Sequence, residues 1–313
     1  MISVSLLLLF IFALQCGVET LPQRWQLMFQ HAPKRLKLTS DISELLSNSF
    51  YIPLISLSGL FMAQEMYLKL PLELLYRKKP ELIDKIDVNK FPDGITVIFP
   101  GFGGNDQNIA ALKNALKDSD YIKGIRRQII VYDWCKFRGN ILRAAINSET
   151  IGDIIGNQIA HEVQNAICDK YKIQFIGVSV GAFAAAKASE KFVKYNNYLR
   201  LTLLDPFTLK GLFGFNYGVN EFGKLLTSET SFFEQFMNTD DPVPSTNSAI
   251  KSSLCYDCTK SKEKNFYVPL SQDVPGHAFP VVYYTNNYHS SLRNIDSHNI
   301  SKKYKRGEII VVD

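Results

Sequence analysis

Four runs rich in Val, Ile and Leu alternate with stretches of helical pattern, and this alternation constrains the fold more than any other feature of the chain. The runs are ITVIFPGFGGN (95–105), RRQIIVYDW (126–134), KIQFIGVSVG (172–181) and LRLTLLDPF (199–207), with helical patterns between them at 107–117 and 150–169. Strands that alternate with helices imply βαβ units and a parallel sheet. The runs are continuously apolar rather than alternating, as expected of strands covered on both faces. The fold class read from the sequence is therefore α/β, a mostly parallel central sheet with helices on both faces. No internal repeat or low-complexity tract stands out.

The chain of 313 residues has room for one large domain or two small ones. Residues 91–313 are assigned to the sheet domain, and 18–90 to a helical segment expected to pack on it. Within that segment Pro71 interrupts the apolar stretch 53–79, giving helical pieces rather than one long span. At the N-terminus the apolar core Val4–Leu14 is short of the roughly 20 residues a membrane-spanning helix needs. It fits a secretory signal peptide over 1–17, so the protein is expected to be secreted or otherwise exported. Loss of Cys16 with that signal leaves Cys135, Cys168, Cys255 and Cys258, a number compatible with disulfides in an exported chain. The Cys255-Tyr-Asp-Cys258 motif lacks the second ligand pair of a zinc site and the thioredoxin-like context of a redox pair, which leaves a local structural bridge or two free thiols. A net charge of +5 with scattered Lys and Arg is not the footprint of a nucleic-acid binder. The cluster Lys302, Lys303, Lys305, Arg306 reads as a solvated tail.

The third run leads into Gly177-Val-Ser179-Val-Gly181 and then an alanine-rich helix over 180–191. Gly-x-Ser-x-Gly is a weak signal alone. Between a strand and a helix it matches a nucleophile elbow, where a tight turn projects the serine hydroxyl and the flanking glycines remove side chains that would collide. A small-residue turn that merely lets the helix pack on the sheet would use the same residues. A serine hydroxyl needs a base, and in elbow-bearing folds the chain order is Ser, acid, His. His31 and His161 precede the serine, and His289 and His298 lie in a polar C-terminal stretch. His277, in a loop before the apolar FPVVYY, is the candidate base. Asp205, at the end of the fourth run, is the candidate acid; its rivals are Asp240 and Asp241 in MNTDDP, at the end of a later strand. An oxyanion needs preorganised amides, each worth about 3–4 kcal/mol of barrier. The Val180 amide follows the nucleophile, and the Phe102 amide lies in the loop FPGFGGN, where Gly101, Gly103 and Gly104 let the backbone turn. That loop lacks the Gly-Lys-Ser/Thr and G-x-G-x-x-G signatures of phosphate binding.

VIFPGFGGN, VYDW with AAINSETIGDIIGNQIA, IGVSVGAFAA, and LLDP with HAFPVVYYT occur in this order over roughly 95–290. The set resembles the pancreatic-type lipase family, including its single-domain phospholipase A1 members. The resemblance implies an α/β-hydrolase fold, the acid Asp205 rather than Asp240, and cleavage of lipid carboxyl esters at a membrane or droplet interface, either by a triacylglycerol lipase or by a phospholipase A1. It implies loops over the site at 207–232 and 242–275; the chemistry itself needs no cofactor, and no EF-hand-like ligand run for calcium is visible. Pro100 departs from the family pattern, where many members have His. The tail after His277 is too short for a C-terminal β-sandwich, so colipase dependence is not expected. The alternatives are a lipid-binding protein that keeps the fold without catalysis, and an acyl thioesterase or small-molecule esterase.

Overall fold

In the computed structural model, residues 76, 79–82, 84–139, 141–164, 171–193, 199–207, 231–241, 243, 248–269, 276–288 and 306–312 are described. The chain divides into two units, Met1–Lys79 with Gly139–Arg143, and Pro80–Arg138 with Ala144–Asp313. The second contains the sheet and the candidate site. The expected signal peptide, nearly all of the helical segment below residue 79, Cys168 and most of the expected covering loop 207–232 lie outside the described residues.

Seven strands form one sheet, β1 (Gly94–Phe99), β2 (Arg127–Val131), β3 (Lys172–Val178), β4 (Leu199–Leu204), β5 (Ser231–Met237), β6 (Leu254–Asp257) and β7 (Ile309–Val311), in the order β2-β1-β3-β4-β5-β6-β7. Every pair is parallel. The α/β class read from the sequence is the one observed. Chain order reverses between β1 and β3, and the carboxyl ends of the strands share one edge of the sheet, where open α/β sheets place ligands.

Among the described residues, four helices cover it: α1 (Gln107–Ile122), α2 (Ile141–Val163), α3 (Gly181–Glu190) and α4 (Phe279–Asn286). Ile98, Ile176, Leu204 and Phe236 from successive strands pack in one cluster with Ile109, Leu112 and Leu116 of α1 and with Phe279 and Tyr284 of α4. The opposite face carries α3, whose Ala182 and Ala185 lie against Gly177 of β3. Against α3 lies α2, so close that a Cβ on Gly152 would meet the Ala184 carbonyl oxygen at 2.3 Å and one on Gly156 the Ala188 Cα at 2.7 Å. The spaced glycines of the IGDIIGNQ stretch are thus a helix-crossing surface.

The structure adds detail in three places. Residues 242–275 are not a covering loop as a whole, because Leu254–Asp257 is strand β6, paired with β5 and β7, and Lys262–Phe266 is a 3-10 helix. The last residues add the short strand β7 to the sheet edge, a strand that the sequence reading did not place. Cys255 is buried, Cys135 is partly exposed, and both carry thiols, as does Cys258; the 255–258 motif forms no disulfide.

A row of buried polar side chains crosses four strands in place of an all-apolar layer. The Thr96 hydroxyl donates to Gln174 Oε1, the Gln174 amide to Thr202 Oγ1, and the Thr202 hydroxyl to Glu234 Oε1 at 2.7 Å. Arg200 pairs with Glu234 at 2.8 Å. Each member has a partner, the condition under which polar groups are tolerated in a core.

Candidate active site

The site stands at the carboxyl edge of the sheet, on the residues that follow the strands. Ser179 comes one residue after β3. Its backbone is left-handed, φ 52°, a conformation that costs an L-residue roughly 1–2 kcal/mol. Neighbouring strands fix it: its amide donates to the Leu204 carbonyl, and its carbonyl accepts from the amides of Ala182 and Phe207. Gly181 is required here, since a Cβ would meet the Phe99 carbonyl oxygen at 2.3 Å. Strain of this kind persists where surrounding structure over-determines it, typically at functional positions. Asp205, one residue after β4, is the other non-glycine residue with positive φ among the described residues, at 47°, and its amide donates to the Phe236 carbonyl.

His277 precedes α4, whose N-cap is Ala278, so the histidine does not cap the helix. Its Nε2 lies 2.9 Å from Ser179 Oγ and its Nδ1 lies 2.7 Å from Asp205 Oδ2. The structure therefore brings Ser179, His277 and Asp205 into one hydrogen-bonded line. It adds a residue that the sequence reading left among the rivals: Asp241 Oδ2 lies 2.8 Å from the same Nδ1. Asp240 turns the other way, exposed and paired with Lys264 at 3.2 Å. Both inner carboxylates are wholly buried and the imidazole is largely so.

Burial pushes the Asp205 carboxyl up to about 8, against the pull of His277, and the adjacent Asp241 carboxylate adds to the rise. Burial by itself would lower His277; hydrogen bonds to Asp205 and Asp241, and their charge, override it and lift the imidazole to about 9. The three groups are in contact. Their donor atoms lie within 4.8 Å of one another, but both ring nitrogens are spent on hydrogen bonds, Nε2 to the serine and Nδ1 to the acids.

Of the two amides expected to face an oxyanion, one belongs to the serine's chain neighbour and the other to the loop packed against the serine. Val180 is the next residue and fully buried. Phe102 lies in the loop after β1, where Gly101 sits against the nucleophile: a Cβ there would meet Ser179 Cβ at 3.1 Å. The loop turns through a Gly104 amide to Gly101 carbonyl hydrogen bond, with Gly104 at φ 83°. Gly103 is under no such demand, its added Cβ meeting Asp106 Oδ2 at an ordinary 3.5 Å. Among the described residues, neither the Phe102 nor the Val180 amide has a hydrogen-bond acceptor.

Sequence reasoning missed two further residues behind these amides. The buried Trp134 indole Nε1–H donates to the Pro100 carbonyl at 2.8 Å. The Ser148 hydroxyl, on α2, donates to the Val180 carbonyl at 2.8 Å and accepts from the Ala184 amide at 3.1 Å. Both fall in stretches noted for their resemblance, VYDW and AAINSETIG, which was the available signal. Comparison of the sequence with protein-family models and with curated proteins matches none of them.

Proposed function

We propose that this protein is a serine hydrolase of the α/β-hydrolase type that cleaves carboxyl esters of lipids, a triacylglycerol lipase or phospholipase A1. One observation carries the reading: a strained serine at a strand-to-helix corner with its hydroxyl 2.9 Å from a histidine whose far nitrogen lies 2.7 Å from a buried carboxylate. In the mechanism, His277 Nε2 takes the Ser179 proton as Oγ attacks the ester carbonyl. The amides of Phe102 and Val180 meet the negative charge on the former carbonyl oxygen. His277 then returns the proton to the leaving alcohol, and a water activated by the same nitrogen hydrolyses the acyl-enzyme to free acid and serine.

The chemistry rests on the geometry; the lipid substrate rests on the ordered resemblance of 95–290 to pancreatic-type lipases, together with the exposed apolar side chain of Phe102 on the oxyanion loop. Export belongs to the same proposal and is supported by the apolar run at Val4–Leu14. The test is labelling of the folded protein with a fluorophosphonate, with Ser179→Ala as the control, followed by a panel of triacylglycerol, phospholipid, acyl-thioester and short soluble ester substrates. Labelling at Ser179 with turnover of the long-chain lipids is expected. Folded protein that stays unlabelled in detergent while retaining lipid would make it a binder on a hydrolase scaffold.

A further inference from the structure

Building on the serine-hydrolase reading, we propose that two acids rather than one serve the catalytic histidine: Asp241 shares the Nδ1 hydrogen of His277 with Asp205, either carboxylate alone suffices to orient the ring, and the second negative charge sets the pH above which the base works.

The two carboxylates reach one atom from two strands. Asp205 follows β4 and Asp241 lies in the loop after β5, and their Oδ2 atoms stand 2.7 and 2.8 Å from Nδ1. Each uses its other oxygen in the same way, to accept a backbone amide: Asp205 Oδ1 from Asn238 at 3.2 Å, Asp241 Oδ1 from Val243 at 2.9 Å. Asn238 ties the arrangement together, because its side-chain amide also donates to the carbonyl of Gly276, the residue before the histidine, at 2.9 Å. Neither acid is a surface charge that happens to pass near; both are wholly buried and held at two points. Asp241 is thus a positioning residue of the same rank as Asp205.

A single N–H can be shared between two acceptors. In a one-acid triad, replacing the acid by Asn puts an amide donor opposite Nδ1 and forces the wrong tautomer, at a cost of about 10⁴-fold in kcat. Here a carboxylate remains to accept from Nδ1–H, so Nε2 keeps its lone pair toward Ser179. The second acid also has a cost. Among the described residues, the charged groups that face the imidazole are Asp205 from the end of β4 and Asp241 from the loop after β5. The ammonium of Lys264, on the 3-10 helix, is held by Asn238 Oδ1 and Asp240 Oδ2. Among the described residues only acids face the imidazole, and negative charge on that pair favours imidazolium, which cannot act as a base, so activity rises only in the alkaline range.

The experiment compares pH–rate profiles on a soluble ester for wild type, Asp205→Asn, Asp241→Asn, the double variant and Asp240→Asn, with circular dichroism to verify folding. Each inner single variant is expected within about tenfold of wild type at its own optimum, and the double variant about 10⁴-fold below it. The acidic limb of Asp241→Asn is expected to move down by about one pH unit or more, while Asp240→Asn follows wild type. Asp205→Asn falling as far as the double variant, or an unmoved limb in Asp241→Asn, overturns the proposal. A second readout needs no turnover: in ¹⁵N-histidine-labelled Ser179→Ala protein, the His277 ring midpoint should drop by a similar amount on adding Asp241→Asn, and an unchanged midpoint overturns the proposal. Failure of wild type to react with a fluorophosphonate would refute the hydrolase reading separately, since the ring titration still judges the two acids.

Discussion

The Trp134 indole nitrogen donates to the Pro100 carbonyl at 2.8 Å, from a side chain with almost no exposure. This bond ties the end of β2 to the root of the loop that carries Phe102, and it gives Pro100 a use in a position where a side-chain donor was expected. Trp134→Phe keeps an aromatic ring but leaves a carbonyl without its partner, a loss of about 1–3 kcal/mol. Loosening the loop should lower kcat roughly tenfold on a soluble ester with little change in KM, because an oxyanion donor acts mainly in the transition state. Steady-state kinetics beside a urea titration would check this. Lower stability with unchanged kcat would show that the loop is positioned by other contacts.

Ser148 supports the other amide. Its hydroxyl bridges the Val180 carbonyl and the Ala184 amide, a pair that an ideal helix joins directly. Ser148→Ala withdraws both bonds at a fully buried position, so a stability loss of about 1–3 kcal/mol is expected. Because Val180 begins α3 and carries the second oxyanion donor, kcat should fall with it. Fluorophosphonate labelling, which also builds charge on a tetrahedral centre, should slow in parallel. Labelling as fast as wild type would confine Ser148 to helix packing.

Ser179 is held at φ 52°, so its replacements should separate chemistry from stability. Both Ser179→Gly and Ser179→Ala lose the nucleophile. Only glycine is at ease in the left-handed region, and the Gly variant should be more stable than the Ala variant by about 1 kcal/mol. Chemical denaturation of the two provides the comparison. Equal stabilities would mean that the corner relaxes when the hydroxyl is gone.

The parts of the fold legible in the sequence were those whose hydrophobicity is continuous. The runs that became β1, β3 and β4 announce themselves because nearly all of their residues are buried, on both faces, and the Gly-x-Ser-x-Gly corner is visible because steric demand selects glycine there. β5 was anticipated only as a strand ending near Asp240 and Asp241, because Glu234 and Gln235 interrupt the run SFFEQFM and blur its extent. In the structure both are buried, Glu234 against Arg200 and Thr202, and Gln235 accepting from the Ile250 amide and donating to the Ser248 carbonyl. A periodicity argument assigns burial one residue at a time and cannot see a partner 34 residues away. The same blindness applied at the site. Asp240 and Asp241 are adjacent and chemically identical, and only the turn after β5 decides that one meets Lys264 while the other meets His277.

The buried acid–imidazole cluster should also mark the stability curve. His277 is lifted from 6.5 to about 9, with burial opposing the rise and the two carboxylates prevailing. That contribution is complete below pH 6.5 and disappears as pH climbs through about 9. Asp205, raised by burial and then by Asp241 to about 8, changes in the same sense, since the folded chain holds its proton longer than the unfolded chain does. Between roughly pH 4 and 9 the native state therefore binds more protons through this cluster, and stability falls as pH rises. Melting temperatures taken from pH 6 to 9 should decline more steeply for wild type than for Asp241→Asn, which removes one of the charges holding the imidazolium, while Asp240→Asn keeps the wild-type slope. Parallel slopes for wild type and Asp241→Asn would mean that removing Asp241 leaves the cluster's proton uptake on folding unchanged, and that Asp241 does not hold the imidazolium by its charge.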